Sequence, residues 1–274
     1  MTQASPTAQA EFGPTETIAG DLSCGILLLC DHASNALPPA YGDLGLPAAQ
    51  FQRHIGYDIG AKALTLALAG RLNAPALMTT YSRLLIDPNR GEDDPTIVMR
   101  LSDGAVVPGN AGVDASERQK RIELFHRPYH ELIASTLDKM LETAPPPVII
   151  SMHSYTPVWR GVPRPWHAGI LWDMDDRAVR PILERLGAQD GIVVGDNEPY
   201  DGALKNDTMY QHGTMRGLAH ALIEVRQDLI SDEAGVTEWT ERLLPILADL
   251  PGQTSLREIR KGPSRCDTAP VIAA

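Results

Sequence analysis

The sequence predicts a single α/β domain built on a mixed, mostly parallel sheet with helices on both faces. Three observations carry this. Gly25–Cys30 and Val148–Ile150 are short apolar runs without polar alternation, as in strands buried on both faces. Strand-length apolar segments alternate with longer segments of helical spacing, the pattern of parallel strands joined by crossover helices. Neither an internal repeat nor a composition break divides the 274 residues. Residues 1–19 are expected as a loose N-terminal arm, 20–260 as the folded domain and 261–274 as a loose C-terminal tail.

The elements follow in order. After the first strand, Asp31 to Pro39 is polar and ends in proline, so His32 is expected on a turn at the strand's carboxyl end. Pro47 to His54 reads as a short helix with proline at its start, interrupted by Gly56. Asp58 precedes a cleaner helix to about Leu72, with Ile59, Leu64, Leu68 and Leu72 near helical spacing. A strand is expected at about 76–80, and Ser82–Asp87 reads as a second extended run stopped by Pro88. The loop from Asp87 to Gly112, with Asn89-Arg90 and an acidic turn at Glu92-Asp93-Asp94, is long for a compact domain. Asp114 or Ser116 can cap the next helix. Its stripe is Ile122, Phe125, Tyr129, Leu132, Ile133, Leu137 and Met140, and Pro128 within it predicts a kink or a fresh start. Pro145-Pro146-Pro147 cannot enter a central strand, so a strand at 148–152 starts after it, with His153 at or just past its end. An irregular loop at 154–167 carries Arg160 and Arg164. Strands at 168–172 and 191–195 flank a helix at about 175–187. His220–Arg226 is the last core strand, and a helix at about 236–249 follows.

A net charge of −11 argues against nucleic acid or an anionic membrane as a partner, while leaving room for a small anion held by local positive charge. The three cysteines, Cys24, Cys30 and Cys266, form no disulfide framework or zinc knuckle. No apolar run approaches the ~20 residues of a membrane span, and the polar N-terminus has no signal-peptide character. A cytoplasmic location is expected. Oligomeric state is left open.

The chemistry centres on two strand ends that each deliver a histidine, His32 and His153. Together they suggest a metal site, and a zinc hydrolase needs one further His or carboxylate while keeping a position open. Asp58 is the preferred third ligand and His54 the alternative. Asp58 can also be read as a helix N-cap. Glu224 interrupts an apolar strand, and a buried carboxylate needs a partner. It is either ion-paired to Arg226, two residues on and on the same face, or a general base for a water activated by the metal. Arg90 can pair bidentately with a carboxylate, with Asn89 adding a hydrogen bond. Arg83, Arg160 and Arg164 add positive charge, each also readable as a structural or solvated arginine. GxGxxG, GxxxxGK[ST] and GxSxG are all missing, so nucleotide binding has no support and Ser34, Ser151 and Ser154 make a weak case for a serine hydrolase.

Cys30–Asn35, Tyr81-Ser82-Arg83 through Asp87-Pro88-Asn89-Arg90, Ser151–Ser154 and His220–Arg226 resemble, in this order, the N-formylglutamate amidohydrolase (deformylase) family, and are closest to its less characterised branch. The resemblance covers roughly residues 20–230. It implies a phosphorylase/hydrolase-like α/β fold related to zinc carboxypeptidases and aspartoacylase, and metal-dependent hydrolysis of an N-acyl amino acid. It implies that His32 and His153 bind the metal, that Asn89-Arg90 grips the substrate's carboxylate, and that Glu224 is the general base. One position departs. The carboxypeptidase relatives carry His-x-x-Glu after the first strand, whereas Asn35 stands here in the fourth place. An amide is a poor zinc ligand, so the carboxylate must come from elsewhere, and Asp58 is the choice.

The expected function is hydrolysis of the N-formyl or other N-acyl amide of an acidic amino acid such as N-formylglutamate. A divalent metal, zinc by preference, is held by His32, Asp58 and His153. Glu224 is the base, and Asn89, Arg90, Arg83, Arg160 and Arg226 bind the small anionic substrate. The alternatives are a carboxypeptidase-like hydrolase of another N-acyl amino acid or peptide, or a non-catalytic carboxylate-binding protein on the same scaffold.

Overall fold

A computed structural model of the protein describes residues 12–267. The strands are β1 (Thr15–Ile18), β2 (Ile26–Cys30), β3 (Ala76–Thr79), β4 (Leu101–Ser102), β5 (Ala105–Val106), β6 (Val148–Tyr155), β7 (Val158–Trp159), β8 (Val162–Pro163), β9 (Ala168–Leu171), β10 (Val194–Asp196) and β11 (His220–Arg226). Seven of them form one sheet in the order β1-β3-β2-β6-β11-β9-β10, while β4–β5 and β7–β8 are separate ribbons. β3, β2, β6 and β11 run parallel. β1 is antiparallel to β3, and β9 to β11, and β10 is parallel to β9. The sheet is therefore mixed and mostly parallel. The carboxyl ends of its four central strands lie along one edge, where open α/β sheets bind ligands.

The helices are α1 (Ala61–Leu72), α2 (Pro108–Ala111), α3 (Ala115–Arg121), α4 (Arg127–Thr143), α5 (Val179–Gly187) and α6 (Glu233–Asp249). Alternate residues of each central strand enter opposite cores. Leu28, Ile150, Met152 and Ile223 pack with Leu64 of α1 and Trp239 and Leu243 of α6. Leu27, Leu29, Ile149 and Leu222 pack with Tyr129, Ile133 and Leu137 of α4. With both faces covered, the strands need no polar alternation, which is why they read as continuous apolar runs. Each such side chain, fully buried, contributes about 1.5–3 kcal/mol.

Several elements differ from the sequence reading. Thr15–Ile18, expected within the loose arm, is an edge strand whose polar residues are held by pairing with β3. The rest of the arm up to residue 11 lies outside the described residues, as does the tail from 268. Arg265 fixes the start of that tail, its N–H donating to Asp173 Oδ1 at 2.9 Å. Ser82–Asp87 is a chain of turns, not an extended run, closed by Leu85 N–H to Ser82 O at 2.9 Å, and it buries Leu84, Leu85 and Ile86 locally. Residues 47–54 contain only a short 3-10 turn at Ala48–Gln52. Asp114 caps α3, accepting from Glu117 N–H at 2.8 Å. Pro128 marks a fresh start: a π-helical turn, Ile122–His126, precedes α4. β6 runs on to Tyr155, so His153 sits inside the strand and not past its end.

Candidate active site

Sheet order brings the site together. β2 ends at Cys30 and is followed at once by Asp31 and His32. β6 is its parallel neighbour, and on its other side β11 places Glu224 directly opposite His153. Asp58 arrives on the turn into α1, its N–H donating to His32 O at 3.0 Å. That turn depends on Gly60, which has φ +81°, and a Cβ there would lie 2.1 Å from Ile230 O. Opposite Glu224 on β9 stands Gly169, where a Cβ would lie 1.9 Å from Glu198 O. The missing side chain lets the loop after β10 pass close over β9, and that loop carries Tyr200 to the cavity.

The two histidines converge on one oxygen. Asp58 Oδ2 is 2.8 Å from His153 Nδ1 and 3.3 Å from His32 Nδ1. Their other nitrogens are held by different carboxylates: His32 Nε2 is 2.7 Å from Asp87 Oδ1, and His153 Nε2 is 2.9 Å from Asp31 Oδ2. A neutral imidazole has one proton. Donated from Nε2 to Asp87 or Asp31, it leaves Nδ1 with a lone pair facing Asp58. Two lone pairs against a carboxylate oxygen require a positive charge among them. One ligand atom from each of His32, Asp58 and His153 lies within 4.8 Å of the others, and all three residues are buried. Zinc ligands at about 2.0–2.2 Å sit roughly 3.3 Å apart around a tetrahedral ion, close to these separations.

Charge leads the same way. Asp31, Asp58 and Asp87 are buried. The guanidinium beside two of them is that of Arg83, with Nη2 2.7 Å from Asp87 Oδ2 and Nη1 3.5 Å from Asp58 Oδ1. Three negative charges against one positive leave room for a divalent cation. Burial works to raise these carboxyls, but their partners prevail. The hydrogen bond and charge of His153 bring Asp31 to about 2. His32 and His153 hold Asp58, and Arg83 and His32 hold Asp87, below the usual carboxylate range. His153 shows the converse: burial disfavours its charged ring, yet bonds to Asp31 and Asp58 raise it well above the ordinary histidine value.

The group opens into a cavity of about 390 Å³. Its walls are largely apolar, including Ile55, Leu171 and Leu222, and the two ribbons contribute Asp103 and Trp159. Glu224 faces it, 7% exposed, and its Oε2 has no hydrogen-bond partner among the described residues. Burial raises its carboxyl to about 7, against the pull of His153. Asn89 and Arg90 also face the cavity. Asn89 Oδ1 accepts from Thr208 N–H at 3.2 Å, which leaves its amide N–H groups as donors. Arg90 Nη1 donates to Asn89 O at 2.8 Å, and its Nε is 3.9 Å from Asp94.

Other predicted residues fall elsewhere. The N-cap of α1 is Gly60, so Asp58 is not a cap; its carboxylate faces the histidines and Ser154 N–H. His54 stands at the rim, 3.5 Å from Asp103 Oδ2 and outside the metal-competent group. Asn35 donates to Phe51 O at 2.9 Å, a structural bond. Arg83 lines the cavity but is committed to Asp87 and Asp58. Arg160 is exposed over the Trp159 ring and is not part of the cavity wall. Arg226, expected among the substrate-binding residues, also lies outside the wall and pairs with Asp228 at 2.8 Å, so the alternative reading of Glu224 as its ion-pair partner is not met. Arg164 is buried against the rings of Tyr155, Trp159 and Tyr200. Sequence reasoning passed over Asp31 and Asp87, which orient the two rings. Both acids stand in quoted motifs, next to His32 and just before Asn89-Arg90, and that adjacency was the available signal.

Residues 24–231 match the N-formylglutamate amidohydrolase family. The fold is similar to that of a gene product from Agrobacterium tumefaciens, at 28% identity over 88% of this chain and 96% of that one, with a TM-score of 0.82. It is also similar to an N-formylglutamate amidohydrolase from Ralstonia eutropha, at 19% identity over 88% of this chain and 98% of that one, with a TM-score of 0.63. At that identity the second likeness speaks for the fold alone. None of the curated proteins matches the chain. The family match takes in β2 through β11 and with them His32, Asp58, His153 and Glu224. The chain therefore belongs to the N-formylglutamate amidohydrolase family, hydrolases that act on a C–N amide bond.

Proposed function

We propose that the protein is a metal-dependent deacylase of acidic N-acyl amino acids, N-formylglutamate being the reference substrate, with a cation held by His32, Asp58 and His153. The observation that carries this is the shared Asp58 oxygen. Two Nδ1 atoms converge on it while separate carboxylates anchor both Nε2 atoms. Two ring nitrogens and a carboxylate oxygen beside an open cavity suit zinc, which in hydrolases keeps a position for the reacting molecule. Zinc supplies Lewis acidity there, polarising a carbonyl and making a water more acidic.

The chain's own residues supply the rest. Arg90 pairs with the substrate's carboxylate and Asn89 Nδ2 donates to it, fixing the scissile amide toward Glu224. Glu224 takes a proton from water as the water oxygen bonds to the acyl carbon. It returns that proton to the amide nitrogen as the C–N bond breaks, giving formate, or another small acid, and the free amino acid. A carboxyl with a raised pKa suits both transfers. Arg83 holds Asp58 and Asp87 in place and does not meet the substrate. Among the described residues no helix is long and apolar enough to cross a membrane. A cytoplasmic location remains part of the proposal.

The test is metal analysis of the purified protein together with formate release from N-formylglutamate. Glu224→Gln is expected to keep the metal and lose turnover; full activity would sink the assigned role. His153→Ala is expected to lose metal, and unchanged metal content would remove it from the site.

A further inference from the structure

Behind the Asn89-Arg90 loop, away from the metal-competent group, stand three buried histidines: His126, His130 and His212. His126 Nε2 is 2.8 Å from Arg90 O, and His130 Nε2 is 2.9 Å from Pro88 O. A carbonyl can only accept, so both rings donate from Nε2. His130 Nδ1 then carries a lone pair, and His212 Nε2 donates to it at 2.9 Å. The rings follow one another, with centroids 4.3 Å apart at a 36° tilt from His126 to His130 and 5.2 Å apart from His130 to His212. Two of the rings come from π-helical turns, Ile122–His126 and Tyr210–Thr214, an irregularity that concentrates at functional sites.

The two carbonyls held in this way flank Asn89. The one between them, Asn89 O, accepts from the Arg90 guanidinium. Pro88 has no N–H, and Asn89 N–H goes to Asp87 Oδ1 at 2.9 Å. This loop lies outside every strand and helix, so side chains, not a ladder, hold its backbone. From these contacts we infer that His126 and His130, with His212 behind them, are positioning residues that set the backbone carrying Asn89 and Arg90, and so fix where the substrate's carboxylate binds. The inference rests on the role given to Arg90 under the proposed function. Burial lowers all three rings from the ordinary histidine value, His212 to about 4, in keeping with three neutral rings that each donate one N–H.

Leucine and glutamine variants at His126 and His130 test this, because the glutamine amide can still place an N–H near the Nε2 position. The leucine variants are expected to raise KM for N-formylglutamate about ten-fold, because each leaves a buried carbonyl without its donor and frees the backbone that carries Arg90. Their kcat and metal content stay near wild type, and the glutamine variants recover most of the KM. A second measurement needs no substrate: amide hydrogen exchange at Asn89 and Thr208 speeds up in the leucine variants and not in the glutamine ones. It reports even where N-formylglutamate is not turned over, so failure of the functional reading and of this inference are told apart. If a leucine variant does not fold, His212→Ala, which removes only the donor to His130, is read in the same way for a smaller rise in KM and faster exchange. Unchanged KM and exchange, a loss of kcat with KM unmoved, or a glutamine variant as impaired as leucine would each overturn the inference.

Discussion

Asp31→Asn tests whether the outer nitrogens of the histidines govern the cation site. Four donors converge on Asp31. His153 Nε2 at 2.9 Å and Ser151 Oγ at 3.2 Å meet Oδ2, while Tyr129 Oη at 2.8 Å and Thr208 Oγ1 at 3.1 Å meet Oδ1. An amide offers one oxygen and one NH2, so a pair of donors must face the NH2 whichever way it turns. If that end meets His153, the ring has to carry its proton on Nδ1 and can no longer use that nitrogen as a ligand. If it meets Tyr129 and Thr208, two buried hydroxyls lose an acceptor. A hydrogen bond to a charged group is worth about 1.5–3 kcal/mol. Loss of a carboxylate behind a metal-bound histidine typically weakens metal binding by about 10–100-fold. Zinc affinity measured by competition with a chelator near pH 7 is therefore expected to fall by about that factor, while the variant keeps its circular dichroism spectrum. Affinity within about twofold of wild type would refute the argument that the Asp31 bond sets the tautomer of His153.

Four further outcomes are expected. Arg90→Lys replaces a fork by a point charge, and KM is expected to rise about 10–100-fold. Arg226→Gln, outside the cavity and paired with Asp228, is expected to leave KM unchanged in the same assay. Asp207 is buried, and burial raises its carboxyl to about 7, while unfolded aspartate titrates near ~3.9. Its contribution to stability is thus full below about pH 4 and is lost as pH rises to 7, by roughly 4 kcal/mol at most. In metal-stripped protein Asp207→Asn should flatten Tm against pH over that range, and an unaltered curve would count against the assignment. Glu224 must be ionised to act as a base, so kcat/KM should climb with pH on an acid limb. A bound cation draws that limb below the value of about 7 set by burial, and a limb that survives in the residual activity of Glu224→Gln belongs to another group.

The strands were legible because burial on both faces leaves an apolar signature, and the strand-end histidines because polar residues interrupt it. Asp58 was singled out by its place at the start of the helix after the first strand, and Asn35, standing where the relatives offer a ligand, added to the case. Asp31 and Asp87 were not legible as ring anchors, since their bonds join His153 and His32 across 122 and 55 residues of chain. Only the fold brings those pairs together. Arg226, expected at the substrate, lies outside the cavity wall for a related reason. Strand parity puts Arg226 on the face of Glu224, yet Asp228, two residues away on the chain, captures it first. β1 was missed because its Thr-Glu-Thr-Ile run has little apolar character, and its order comes from pairing with β3.

Sheet register, more than any single residue, selects the site. Glu224 stands opposite His153, and Leu29 opposite Ser151 on the neighbouring pair, which leads the chain after β2 past His153 at Asp31. A slip of one residue along β6 or β11 would turn His153 or Glu224 into the core of Leu64 and Trp239, and bring Met152 or Ile223 to the cavity. Each apolar side chain so exposed forfeits about 1.5–3 kcal/mol. A slip of two would keep the faces but set Glu224 opposite Ser151 or Tyr155 instead of His153. The apolar residues between the polar ones therefore enforce the spacing of Glu224 and His153. The same cores offset what the site costs in stability: three buried carboxylates with one arginine, and a glutamate oxygen without a partner among the described residues. A cation bound to the folded chain alone adds its binding energy to folding, so removing it should destabilise the whole domain and not merely silence the site.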